Sequence, residues 1–352
     1  MESAASTQPQ PREPLRAISP VEFARRLRGL SEQPDNRYAF FLGAGCSIAS
    51  GIPSAAELVR DHWLPQLRDL RAPERQDLDA WVREQFADYD PRNPALHYGR
   101  VVERLFLHPE EVQREIERLC ANPFPSFGYV ALAALMAEAG KSNGLFNVVL
   151  TTNFDDLVQD ALFLFTRTRA LVVGHEAMAH FIRPTRTRPL VVKLHGDQRL
   201  SPRNGEQETR QLEAEIERQV RTLLHDRGLL FLGYGGHDQS VQGMLERLPA
   251  EALPLGVYWA SDEPPPEQMI DWLQRRHAIW VKGGGDFDSV MLLLRDAFEL
   301  DLPTRKDFDD MFSRYRRGFK RLSERIERTP HADPELREAA ARTRRFFTTD
   351  AG

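Results

Sequence analysis

Apolar positions fall along this chain in two rhythms. Mostly apolar runs at 38–42 (YAFFL), 146–150 (FNVVL), 190–194 (LVVKL), 229–232 (LLFL), 255–259 (LGVYW) and 278–281 (AIWV) have the length and composition of buried strands. A shorter run at 171–173 (LVV) fits the same description. Between them apolar residues recur every three or four positions. This predicts helices over 20–30, with Val21, Ala24 and Leu27 on one side, over 55–64, with Leu58 buried, and over 124–139 and 157–165. Leu212, Ile216, Val220, Leu223 and Leu224 predict another over 211–226, after a polar loop at 199–210, and two more are expected at 266–275 and 287–299. Strands alternating with helices at this spacing argue for an α/β fold, a Rossmann-like mostly parallel sheet with helices on both faces.

Three stretches depart from that alternation. Residues 1–17 are proline-rich and poor in apolar side chains, so a flexible lead-in is expected. Over 65–123 apolar residues keep helical spacing without strand-like runs, and Pro91, Pro94 and Pro109 divide the segment into about three helices. This helical insertion either covers a cleft or pads the sheet. Beyond Asp301 the chain reads as a charged helical extension, 301–352, with seven basic and two acidic residues in RYRRGFKRLSERIER at 314–328. Its apolar stripe, Phe312, Tyr315, Phe319 and Leu322, is expected to pack, while Phe346 and Phe347 dock on this subunit or a neighbour. The domain proper is then 18–300.

Composition narrows the classes further. A formal charge of -5 does not favour general attraction to nucleic acid, and direct nucleic-acid binding is not expected. With 352 residues, no long apolar span and no signal-peptide core, the default is a cytoplasmic protein without membrane contact. Two cysteines, Cys46 and Cys120, cannot make a four-thiolate zinc site, and no cluster has metal-ligand spacing. Cys46 looks like a small filler.

Candidate chemistry gathers at the carboxyl ends of the strands, where ligands sit in open parallel sheets. Four clusters lie there: GAGCSIASG at 43–51, TTNFDD at 151–156, HGD at 195–197 and GYGGHD at 233–238. Gly43 and Gly45 lack Cβ atoms, so their N–H groups can approach a phosphate, and the helix they open adds unpaired donors. Pro53 suits the first turn of that helix. By itself a Gly-x-Gly turn equally marks a close crossing that needs small residues. Asp155, just before a helix, reads as a functional carboxylate or as an N-cap. His195 reads as a proton acceptor or a satisfied structural histidine, and His237 as a wall of the cleft.

The residues at 40–53 resemble the opening motif of the sirtuin (SIR2) superfamily, GAGxSxxSGIPxF. TTNFDDLV is similar to its second motif, LHGD to its catalytic His-Gly, and FLGYGGHDQSV to its later glycine-rich motif, in family order. The likeness is strongest to SIR2-like NAD-degrading effectors of bacterial antiphage defence. It implies that Gly43, Ala44, Gly45 and Ser47 cradle a pyrophosphate, and that Ser50, Gly51, Ile52 and Pro53 lie towards the ribose and nicotinamide. Thr152, Asn153 and Asp155 would line the nicotinamide ribose, His195 would face it, and Gly233, Tyr234 and Asp238 would shape the adenosine side. The family's aromatic–arginine pair is replaced here by Ser54-Ala55-Ala56.

From the resemblance, the expected function is NAD+ glycohydrolysis to nicotinamide and ADP-ribose, with NAD+ as substrate and no metal. Asn153, His195 and Asp155 would be the catalytic residues. The alternatives are a protein deacylase, which normally carries a four-cysteine zinc module, and a non-catalytic subunit that senses NAD or ADP-ribose. Family precedent also implies a homo-oligomer, or a separate partner such as a HerA-type ATPase or another phage-sensing subunit.

Overall fold

The computed structural model describes residues 14–33, 35–138, 145–183, 188–195, 206–331 and 333–349. Its described strands are β1 (Arg16–Ile18), β2 (Tyr38–Leu42), β3 (Val148–Thr151), β4 (Leu171–Val173), β5 (Leu190–Lys193), β6 (Gly228–Leu232), β7 (Val257–Ser261) and β8 (Ile279–Lys282). They form one sheet in the order β1-β8-β7-β6-β2-β3-β5-β4, and every pairing is parallel. From β2 the chain builds outwards through β3, then returns to lay β6 on the other side. The strand order therefore reverses at β2, which makes its carboxyl end the place where a crevice opens.

The inner strands are buried on both faces, as their largely apolar runs require. Ala39, Phe41, Val148, Leu150, Leu229 and Phe231 point into a core shared with Val220, Val241, Met244, Trp272 and Leu273. Those last residues belong to the helices Glu206–Leu223, Gln239–Glu246 and Glu267–Arg275. On the opposite face Phe23, from the helix Pro20–Leu30, meets Tyr258 of β7 at 5.2 Å between ring centroids. The helix Phe127–Glu138 is apolar all round because it runs between two others, Leu157–Thr166 and Phe287–Ala297.

Several boundaries differ from the sequence expectation. Arg16 and Ala17, read as part of a flexible lead-in, belong to β1, which pairs with β8 at the sheet edge. Three residues with only Ile18 buried leave too little pattern to recognise. Residues 206–210, read as loop, open the helix Glu206–Leu223, and 199–205 lie outside the described residues. The helix expected at 55–64 runs through 71, with a π-helical stretch at Leu58–Trp63, and joins the insertion. That insertion continues with the helices Leu78–Gln85, Tyr98–Leu105 and Pro109–Leu119 around its own apolar cluster, which includes Trp63, Leu67, Trp81, Phe86 and Val101.

The chain divides into two units at Asp301. The second holds the helices Arg305–Arg328 and Pro334–Thr349, tied to each other by Arg344, which bonds Ser323 and Glu327. Its buried positions are Ser323, Ile326 and Ala340, whereas Phe312, Tyr315 and Leu322 keep much of their surface exposed. The side chains of Phe346 and Phe347 lie outside the described residues.

Candidate functional site

The loop after β2 does not open an α-helix. Ala44–Ser50 is a seven-residue 3-10 helix, closed by Gly51 in the left-handed region at φ 89°. The α-helix starts later, where Ser54 and Glu57 form a capping box, so Pro53 precedes the cap instead of occupying the first turn. A short 3-10 turn brings less dipole to an anion than the expected α-helix would.

The glycines of this loop serve a loop crossing. A Cβ on Gly43 would lie 2.5 Å from the Gly233 carbonyl oxygen, and one on Gly45 would lie 2.9 Å from Gly233 Cα. Gly233 itself has φ 59°, and a Cβ there would sit 2.5 Å from the Cys46 nitrogen. The Gly43 N–H donates to Leu232 O (3.0 Å) and the Gly45 N–H to Gly233 O (2.9 Å), so neither is available to a phosphate. Ala44, exposed between them, is the member of the trio whose N–H meets no backbone carbonyl among the described residues. Cys46 is the filler expected: it is buried, donates to Leu232 O at 3.2 Å, and burial pushes its thiol well up.

Ser47 joins the first loop to the second. Its hydroxyl donates to Asp155 Oδ2 (2.7 Å), accepts from Asn153 Nδ2 (3.0 Å) and stands 3.0 Å from the Tyr129 hydroxyl. Asn153 Nδ2 also donates to Gly43 O (3.0 Å). Both of its amide hydrogens are thus committed within the protein, so Asn153 meets a ligand only through its carbonyl oxygen. The other Asp155 oxygen accepts the Leu157 N–H (3.2 Å) at the start of a helix. Asp155 thus anchors Ser47 and the first N–H of the helix Leu157–Thr166, although the cap residue of that helix is Asp156. Burial pushes its carboxyl up, against the opposing bond from Ser47.

Other predicted residues also turn out to be ties. Ser50 accepts the Ser126 N–H (3.0 Å), Thr152 N–H reaches Leu42 O (3.3 Å), and Ile52 N–H reaches Ser47 O (3.2 Å). Tyr234 is buried in the aromatic core, its ring 4.7 Å from that of Phe41 and 5.7 Å from that of Trp259. It packs beneath the first loop, where a Cβ on Gly43 would meet it.

The third and fourth clusters meet at His195. Its Nε2 lies 2.6 Å from Asp238 Oδ2 and 3.5 Å from Ser240 Oγ. The His195 side chain is 31% exposed, which places it at a mouth and not in the core. Gly196 and Asp197 lie outside the described residues. Asp238, expected from the sequence to shape the adenosine side, is in direct contact with the histidine. Burial would raise its carboxyl, yet the bonds from His195, Ser240 and Val241 hold it well below the usual range. Its neighbour His237 stands between Gln268 (3.0 Å) and Asn93 of the insertion (3.4 Å), which brings the insertion against the fourth loop.

Lys193 was not singled out from the sequence. It ends β5, is fully buried, and its ammonium donates to Phe154 O (2.9 Å) and Asp156 Oδ1 (2.5 Å). It ties the second loop to the strand carrying His195, and the Phe154 ring lies 6.3 Å from the imidazole. A charged residue closing an apolar strand was the available signal. Tyr129, inside a uniformly apolar helix, gave none.

Residues 147–280 match the family model of the SIR2-like domain. That stretch of the chain is similar to the SIR2-like domain. The matched stretch runs from just before β3 into β8 and takes in the clusters at 151–156, 195–197 and 233–238, while the 43–51 loop precedes it. No curated protein sequence matches the chain. The match supports an NAD-related function. Among the described residues there is no grouping of histidine, cysteine or carboxylate suited to a metal ion, and no helix long and apolar enough to cross a membrane.

Proposed function

We propose that this SIR2-like protein hydrolyses NAD+ to nicotinamide and ADP-ribose. One observation carries the reading: the four clusters form a closed circuit of contacts at the carboxyl end of β2. Loop one meets loop two through Ser47, Asn153 and Asp155, and meets loop four through Gly45 and Gly233. Loop three meets loop four through His195 and Asp238, and loop two through Lys193 and Phe154. A dinucleotide across this edge has the Ala44 amide for its phosphates, and the Asn153 carbonyl and the imidazole for its ribose.

Breaking the N-glycosidic bond sends its electron pair to nicotinamide and builds positive charge on the ribose. Water then bonds to C1′ and gives up a proton. His195 is the available acceptor, and the Asn153 carbonyl oxygen can orient the water or a ribose hydroxyl without becoming charged. The resemblance sets such an enzyme in antiphage defence. There its activity would be restrained by homo-oligomeric state or by a separate sensing subunit, for example a HerA-type ATPase.

Incubation with NAD+ alone, across a range of protein concentrations, tests the reading by nicotinamide release. Release without acylated peptide, lost in His195→Ala and Asn153→Ala, is the expected result. Release only with acylated peptide would assign a deacylase. Binding without turnover, with biological activity intact in His195→Ala, would assign a sensing subunit.

A further inference from the structure

Asp238 makes four contacts through its carboxylate, and they divide between its two oxygens. Oδ1 accepts the Ser240 N–H (2.9 Å), the Ser240 hydroxyl (2.7 Å) and the Val241 N–H (3.2 Å), which caps the helix Gln239–Glu246. Oδ2 is left for His195 Nε2 at 2.6 Å. Three bonds on one oxygen fix the plane of the group, so the direction in which the other oxygen points is set by the helix end. The approach to that helix is equally constrained. Gly236 has φ 76°, and a Cβ on it would meet Pro266 Cγ at 2.7 Å and Trp259 at 3.0 Å.

A carboxylate has no hydrogen to offer, so a nitrogen 2.6 Å from it must carry one. The neutral ring is then the Nε2–H form, with its lone pair on Nδ1. We infer that Asp238 is the positioning partner of His195, holding the imidazole so that Nδ1, not Nε2, is the nitrogen that takes the proton. This deepens the hydrolase reading and rests on it. As the bond between C1′ and the nicotinamide nitrogen breaks with its electron pair, water oxygen bonds to C1′ and one water proton passes to Nδ1. The resulting imidazolium lies against a carboxylate already oriented to receive it, and then gives the proton to solvent. The sum is NAD+ plus water going to nicotinamide, ADP-ribose and a proton. Elsewhere, a carboxylate fixing the tautomer and orientation of a basic histidine is worth orders of magnitude in turnover.

The test has a spectroscopic arm and a kinetic one. In the full chain with 15N-labelled histidine, the His195 resonances, assigned by their loss in His195→Gln, report which ring nitrogen carries hydrogen in the neutral form. Nε2–H is expected in the wild type. Asp238→Asn keeps an oxygen to cap the helix but sets a neutral amide against the ring. It should move the population towards Nδ1–H and lower kcat by about 100- to 10,000-fold. The Kd for NAD+, from calorimetry, should change by less than about threefold. An Nδ1–H wild-type ring overturns the inference. So does an Asp238→Asn protein with unchanged kcat and weakened NAD+ binding, which would return the residue to the adenosine side. If wild type releases no nicotinamide under any condition, the hydrolase reading fails, and the resonances still decide the pairing.

Discussion

The carboxyl-edge loops and the helical insertion lie next to each other but are held together by different means. The insertion is a small apolar core with charges outside: Trp63, Trp81 and Phe86 are buried, while pairs such as Arg60–Asp61, Arg75–Glu84 and Arg100–Asp88 sit half in water. Exposed pairs of that kind contribute little, about 0–1 kcal/mol each. In the loops the order is reversed. Ser47, Asn153, Asp155 and Lys193 are buried polar groups, each bonded to partners of fixed identity. Two histidines show the contrast. His97 in the insertion is buried and takes the Asp90 N–H, with burial lowering its affinity for a proton, followed by Arg100. His195 is at the mouth with a carboxylate against it. An apolar core tolerates change in proportion to volume, whereas a polar network depends on the position of single atoms.

That difference is open to measurement. The largest expected effect is loss of turnover without loss of fold: His195→Ala should lower nicotinamide release by about 100- to 10,000-fold. Its thermal midpoint should stay near that of wild type, since the side chain is partly exposed. A comparable fall in midpoint would erase the contrast. Trp63→Ala in the insertion should do the opposite, lowering stability by about 3–5 kcal/mol in urea unfolding. Activity per folded molecule should be far less affected than in the histidine variant. Gly233→Ala falls between the two. Its new Cβ collides with the Cys46 nitrogen in a left-handed backbone, which should cost about 1–3 kcal/mol, and it should reduce release by shifting the first loop.

The smallest effect is one of pH. Asp238 has a carboxyl lowered in the folded protein, so its contribution to stability is complete above the ordinary carboxylate range and is lost as pH falls through the folded value. Asp155, raised by burial, works the other way: its contribution is present at low pH and is lost as pH rises through its folded value. Unfolding curves across the acid range should therefore show the wild-type advantage over Asp238→Asn closing below about pH 4. A gap that widens there would reverse the assignment.

Much of this arrangement was legible in the sequence, and what was not had a physical reason. The inner strands announced themselves because burial on both faces leaves largely apolar runs, and the four clusters followed from their carboxyl ends. β1 was missed because three edge residues carry no periodicity. The Gly-x-Gly loop reads the same whether a phosphate or another loop fills the space above it, and it is the fold that brings Gly233 there. Asp238 could be read as a helix cap from its position, but a cap occupies one carboxylate oxygen, and where the second points is a tertiary fact. Lys193 drew no notice in the sequence because its partners, Phe154 O and Asp156, are brought to it only by the fold.

The interlock of Gly43, Gly45 and Gly233 also bears on synthesis. Cys46 and the carbonyl it rests on are 186 residues apart along the chain, so the first loop emerges from the ribosome long before its support exists. A nascent polypeptide stays incomplete at this edge until β6 has been made and threaded beside β2. No copy that lacks β6 carries the complete interlock of the first loop.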